Sequence, residues 1–280
     1  MPLYAAGDVR RLALLLLPAV ALGGLTACNK DQTVHVGFRP AAGTSYRYEI
    51  KVQSVITTVL GDEAPDRSTD EVTLESRDTV LSSGPDEVRV EVVLHRAGSP
   101  DRTFRVRFDR GARLAGVDQV DGLPPEVLGS VGFPEFLPAA ATAPPDKPLS
   151  PGAKWKIDAT PTIAGSQSGR LEGTGRLVKV STVGGRKVAS IKAETRVPLS
   201  TTTHVGASVA TISGTETTES TAARALSDGA VQEAQALTKG AYNLTLTAQD
   251  GTGSTPVRGT MSVELRSQTR RLPDDVKASR

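Results

Sequence analysis

From about residue 45 onward the chain alternates apolar and polar residues, and a period of two admits strands while excluding amphipathic helices. Tyr46, Tyr48, Ile50 and Val52 alternate with Arg47, Glu49, Lys51 and Gln53. Val88, Val90, Val92 and Leu94 alternate with Arg89, Glu91, Val93 and His95. The same pattern recurs at Phe104, Val106 and Phe108, at Tyr242, Leu244 and Leu246, and at Met261, Val263 and Leu265. Each segment has one apolar and one wet face, as in an antiparallel sheet covered on one side. Turn residues separate the segments at Gly84-Pro85-Asp86, Arg110-Gly111, Gly184-Gly185 and Asp228-Gly229, where glycine supplies positive φ cheaply.

The pattern runs twice. Residues 42–50 (AGTSYRYEI) parallel 151–159 (PGAKWKIDA): a glycine, two residues, an aromatic at Tyr46 or Trp155, a base at Arg47 or Lys156, then an acid at Glu49 or Asp158. Hairpins follow at 81–92 and 180–191, and again at 108–114 and 226–232. The first half adds a polar loop at 61–70, and a Thr/Ser-rich run at 201–221 reads as strand and loop. The expectation is a mainly β fold: a curved antiparallel sheet or half-barrel built from two similar meander halves, 42–122 and 151–272. A polar tail occupies 273–280.

Between the halves, residues 123–150 break the alternation. Leu123, Val127, Leu128 and Val131 approach helical spacing, and Pro124-Pro125 suits a first turn. A short helical segment is therefore predicted near 123–137, followed by a proline-rich connector through Pro138, Pro144, Pro145 and Pro148. Phe133, Phe136 and Leu137 extend its apolar stripe. The stripe either plugs one side of the sheet as core or lines an apolar cavity against it. In the second case Leu123, Val127, Leu128, Val131, Phe133, Phe136 and Leu137 would touch an apolar ligand.

The N-terminus reads as a leader rather than a strand. Arg10 and Arg11 precede an uncharged run from Leu12 to Leu22, then Gly23, Gly24 and Leu25-Thr26-Ala27-Cys28. About eleven apolar residues are too few to span a bilayer, which takes roughly 20, and match a signal-peptide apolar region. Arg10-Arg11 lacks the flanking residues of a twin-arginine export signal. The tetrapeptide Leu25-Thr26-Ala27-Cys28 resembles the lipobox of bacterial lipoproteins, and Cys28 is the chain's only cysteine. That resemblance implies cleavage after Ala27, with Leu25, Thr26 and Ala27 read by the peptidase. It implies a diacylglyceryl thioether on Cys28 and a lipid-anchored protein on the extracytoplasmic face of the cell membrane. Residues 1–27 would then be leader, and 28–41 a lipidated N-terminus and short tether. One acyl chain holds a protein only marginally, and two or three hold it stably.

Removing the leader takes away Arg10, Arg11 and Asp8 and leaves a net charge of about +1, which gives no basis for nucleic-acid binding. With Cys28 acylated no disulfide is available, so stability must come from packing. Arginine outnumbers lysine by more than two to one, and Ala, Gly and Val abound, a composition that fits an actinobacterium.

No catalytic constellation stands out, and the chain is expected not to be an enzyme. Gly165-Ser166-Gln167-Ser168-Gly169 places Gln167 where a nucleophile elbow needs serine. His35, His95 and His204 are dispersed and offer no metal set. The acidic residues Asp62, Glu63, Asp66, Asp70, Glu71, Asp118 and Asp121 lack calcium-loop spacing. No cofactor is expected.

A lipobox ahead of a long antiparallel meander with a helical insertion resembles the LolA/LppX/LprG group of envelope proteins. The strand starts Gly43–Tyr46 and Gly152–Trp155 resemble those of uncharacterised actinobacterial lipoprotein families. The first resemblance implies a curved half-barrel that holds acyl chains. Two functions stay open: non-enzymatic binding of a lipid or other apolar ligand, or a structural or interaction lipoprotein that meets another envelope protein.

Overall fold

The computed structural model describes residues 33–120, 142, 144–159, 167–205, 208–248 and 255–273, and their regular structure is entirely β. The first half holds β1 (Ser45–Leu60), β2 (Asp66–Ser83), β3 (Glu87–His95), β4 (Arg102–Asp109) and β5 (Leu114–Val120). The second holds β6 (Lys154–Ala159), β7 (Gln167–Ser168), β8 (Leu171–Val183), β9 (Arg186–Val205), β10 (Ser208–Ala225), β11 (Val231–Ala248) and β12 (Val257–Arg271). All belong to one antiparallel sheet ordered β5-β4-β3-β2-β1-β12-β11-β10-β9-β8-β6, with β7 pairing β9 beside that path. The meanders advance across the sheet in the same direction and join where β12 pairs β1, from Tyr48 opposite Arg271 to Leu60 opposite Gly259. No ladder links the edges β5 and β6 among the described residues, so the curled sheet is unclosed. The helix expected near 123–137 lies outside the described residues.

The two halves share more than strand order. Gly43 (φ +80°) donates its N–H to Val80 O at 2.8 Å, and Gly152 (φ +89°) donates to Leu177 O at 2.7 Å. Val80 N–H returns to Thr44 O at 2.9 Å, and Leu177 N–H to Ala153 O at 3.0 Å. A left-handed backbone costs a residue with a Cβ about 1–2 kcal/mol, which is why glycine leads both strands. Each ladder then slips, between Val80 and Ser82 and between Leu177 and Lys179. The extra residue of each bulge, Leu81 or Val178, is exposed. β1 and β2 therefore correspond to β6 and β8.

One face of the sheet is the core. Tyr46, Tyr48, Ile50, Val80, Val88, Val90, Val106 and Phe108 are almost fully buried in one cluster, and Trp155, Ile157, Leu177, Ala189 and Ile191 form another. Burying each such aliphatic side chain contributes roughly 1.5–3 kcal/mol. The outer face carries ion pairs, including Arg105–Glu91 at 3.1 Å, Arg107–Asp118 at 2.7 Å and Lys192–Glu194 at 3.2 Å.

Two expectations are corrected. The stretch 28–41, expected as a tether, is built into the fold from Val34 onward. Val34 and Val36 join the second-half cluster, while Phe38 joins the first and meets Phe108 edge-on at 5.9 Å. Its backbone bridges Leu149, donates from Phe38 to Arg110 O at 2.9 Å, and from Arg39 to Asp228 O at 2.8 Å. The segment thus ties turns of both halves together. The polar loop expected at 61–70 is shorter, because β2 already begins at Asp66 and pairs back to Thr58. Its five exposed residues Asp66–Asp70 extend the hairpin beyond the core, where no burial constrains their character.

Candidate ligand-binding face

Residues paired across antiparallel neighbours project to the same face, so the registers define rows of inward side chains. In the first half one row reads Tyr46, Asp78, Val92, Phe104. The corresponding row of the second half reads Trp155, Gly175, Ala193, Ser220, and continues through Ala236 and Ser267. The next row repeats the contrast. Tyr48, Ser76 and Leu94 match Ile157, Gly173 and Thr195, which continue into Thr218 and Thr238. Thr218 and Thr238 hydroxyls bond at 2.9 Å. Where the first half is filled by large side chains, the second is lined by glycine, alanine, serine and threonine.

The first-half interior is polar at its centre. Asp78, 3 % exposed, is bonded by the Ser76 hydroxyl, and burial pushes its carboxyl up to about 7 against that bond. Tyr48 is raised by burial and then by the neighbouring Asp78. Arg224 is fully buried and donates Nη1 to Gly229 O at 2.9 Å; burial lowers its guanidinium to about 10. The Tyr46 hydroxyl donates to Asp228 Oδ2 at 3.0 Å, and Arg271 lies 4.8 Å from the Tyr46 ring centre. Sequence reading missed Asp78 and Arg224. The usable signal was parity, since Asp78 falls in step with Leu74 and Val80, and Arg224 with Ala222.

Further along the long strands a second apolar zone begins. Leu199, Tyr242 and Val263 are buried together, with Val197, Ile212 and Met261 half-buried against them. Leu244 and Leu246, inward by register, are also half-exposed. Tyr242 lies over Gly240, where an added Cβ would come within 2.5 Å of its ring, and its hydroxyl donates to the buried Glu216. The Thr218–Thr238 row separates this zone from the main core.

Cys28, Leu25, Thr26 and Ala27 lie outside the described residues, as do Leu123, Val127, Leu128, Val131, Phe133, Phe136 and Leu137. His35 and His204 are exposed and far apart in the chain, and His95 Nδ1 pairs with Asp101 at 2.7 Å on the surface. Gln167 and Ser168 form β7, a strand rather than a strand-to-helix elbow. Among the described residues no group of three His, Cys, Asp or Glu is placed to hold a metal ion. A concavity of about 620 Å³ is lined by Val183, Arg186, Val188, Glu233, Arg270 and Arg271.

No protein-family model and no characterised protein sequence matches the chain. Among solved structures it is similar to an outer membrane channel from Pseudomonas putida F1, at 9 % identity over 84 % of this chain and 97 % of that one, with a TM-score of 0.22. It is also similar to a loop-deletion mutant of OmpT, an outer membrane protein of Vibrio cholerae, at 10 % identity over 83 % and 100 % of the chains, with a TM-score of 0.20. Likeness at that level carries no functional argument. The charges point another way: a membrane-spanning barrel turns its apolar band outward, whereas here ion pairs such as Arg47–Glu75 and Arg266–Glu264 cover the outer face.

Proposed function

We propose that the protein is a membrane-anchored, extracytoplasmic lipoprotein that binds a lipid or other apolar ligand without catalysis, on the inner face of its second half. The observation that carries this reading is the half-exposed apolar zone of Val197, Ile212, Leu244, Leu246 and Met261, inward-facing on strands whose outward positions beside it are the polar Ser213, Asn243, Thr260 and Ser262. Exposed apolar surface gathered on a concave sheet face is where an acyl chain gains most, at about 25 cal/mol per Å² removed from water. Anchoring rests on the Leu25-Thr26-Ala27-Cys28 lipobox. A diacylglyceryl group on Cys28 would hold the protein at the membrane from which such a ligand is drawn.

Two measurements test the reading. Cell fractionation of Cys28→Ser should move the protein out of the membrane fraction, and retention there would remove the anchor. Organic extraction of protein purified from its own cells should release a co-purifying lipid. Protein recovered free of lipid, with a partner cross-linked to its sheet edges, favours the interaction lipoprotein instead.

A further inference from the structure

We propose that the open edge of β2 from Asp66 to Leu74 is a docking site, where an extended basic segment of another protein adds to the sheet as a further strand. This goes beyond the apolar-ligand reading and does not depend on it.

Past the core the sheet narrows to the strands β9-β10-β11-β12-β1-β2. The β3 ladder leaves β2 at Glu75, opposite His95, whereas β1 stays paired with β2 as far as Asp66. From Asp66 to Leu74, about 30 Å at strand rise, β2 therefore carries a ladder on one side only among the described residues. About half of the backbone N–H and C=O groups in that stretch point to the other side, as on any edge strand. Asp66 to Glu71 are exposed, and the stretch holds neither proline nor bulge. The opposite border of the narrow sheet is guarded. There β9 runs on beyond β8, whose ladder stops at Arg196, and it carries Pro198, which has no N–H to offer. β7 pairs with Leu199 and Ser200 beside it. One border is thus blunted and the other is left able to pair.

Charge selects the partner. Between Gly61 and Glu71 the carboxylates Asp62, Glu63, Asp66, Asp70 and Glu71 stand against Arg67 alone. None of them has an ion-pair partner among the described residues. On the body of the sheet, Glu49, Glu75 and Glu91 pair with Arg270, Arg47 and Arg105. Asp66 and Asp70 project to one face of β2 and Glu71 to the other, so an added strand meets acid on both faces. A second copy of this chain pairing β2 with β2 would set carboxylates against carboxylates, which is unfavourable across strands. Charge on an edge also turns away an apolar strand. A segment with lysine or arginine at alternating positions meets the edge with opposite charge. Main-chain hydrogen bonds would then supply affinity, and the charges would set register and choice of partner.

Hydrogen exchange at single amides reads the edge directly. The full chain in non-ionic detergent is titrated with three peptides matched in length to the edge. The first alternates lysine with valine, the second has glutamate for lysine, and the third is the lysine peptide N-methylated throughout, which keeps the charge and loses the donors. The lysine peptide should slow exchange of the unpaired amides within 66–74 by about tenfold or more. The other two should bind at least about tenfold more weakly. Asp66→Lys, Asp70→Lys and Glu71→Lys together, all at exposed positions, should reverse the preference toward the glutamate peptide. If that variant fails to fold, the three peptides on the unaltered chain decide alone. Unchanged exchange at 66–74 under saturating lysine peptide, or equal binding of its methylated form, would overturn the proposal. So would protection of every amide from 66 to 74 in the chain alone, since the edge is then covered by this chain or by a second copy.

Discussion

Asp78 and Gly175 hold the same place in the two halves of the sheet: each faces the aromatic residue of its leading strand, Tyr46 or Trp155, and each stands two residues before the bulge. A carboxyl fills the interior at one, and an indole lies across bare backbone at the other. The same architectural position holds a buried carboxyl in the first half and the face of an indole in the second.

The glycine is the more restrictive of the two. A Cβ at residue 175 would stand 2.1 Å from Trp155 Cε2, so the ring must move. Gly175→Ala should destabilise by roughly 1–3 kcal/mol, as overpacked cores do. Urea unfolding measures this, and an unchanged midpoint would show that the indole has free room.

Gly43→Ala and Gly152→Ala form a matched pair. Each places a Cβ at positive φ, with nothing within 4 Å of it, so backbone strain alone acts. Both should cost about 1–2 kcal/mol, and nearly the same amount in each half. A large difference between them would contradict the equivalence of the two turns.

Asp78 makes stability depend on pH. Its folded carboxyl titrates near 7, above an ordinary value near 4, so the folded state keeps a proton that the unfolded chain gives up. The stabilisation is present in full below about pH 4 and is lost as pH rises through 7, by on the order of 1 kcal/mol per pH unit. Asp78→Asn should flatten the unfolding free energy across that window and leave the mutant relatively more stable at pH 8. A wild-type curve already flat from pH 4 to 7 would argue against a neutral buried Asp78.

Ile212→Glu probes the second apolar zone. Ile212 is only half-buried, so the change should alter stability by less than about 1 kcal/mol. Lipid recovered with the protein should fall several-fold, because a carboxylate in an acyl path carries its desolvation cost. Undiminished lipid would place the ligand elsewhere.

Much of the fold was legible from parity. The alternation at Tyr46–Val52, Val88–Leu94 and Phe104–Phe108 predicts the buried faces observed, and the glycine-led strand starts reveal the duplication. Parity is silent about residues outside strands, and so Val34, Val36 and Phe38, packed against both halves, read as tether. Asp78 and Arg224 were hidden by their polarity, although parity puts them in step with the buried Leu74, Val80 and Ala222. The small-residue row escaped notice for a different reason. Gly175, Ala193, Ser220, Ala236 and Ser267 come from five strands, and only the register brings them together.

Native mass spectrometry of protein released gently from its own membranes weighs the anchor and the cargo in one spectrum. The proposal expects a chain that starts at Cys28, heavier by covalent acyl groups, with a further mass that leaves on collisional activation as an intact lipid or other apolar ligand. A chain still bearing residues 1–27, or an unmodified Cys28 on protein that carries nothing, would contradict it.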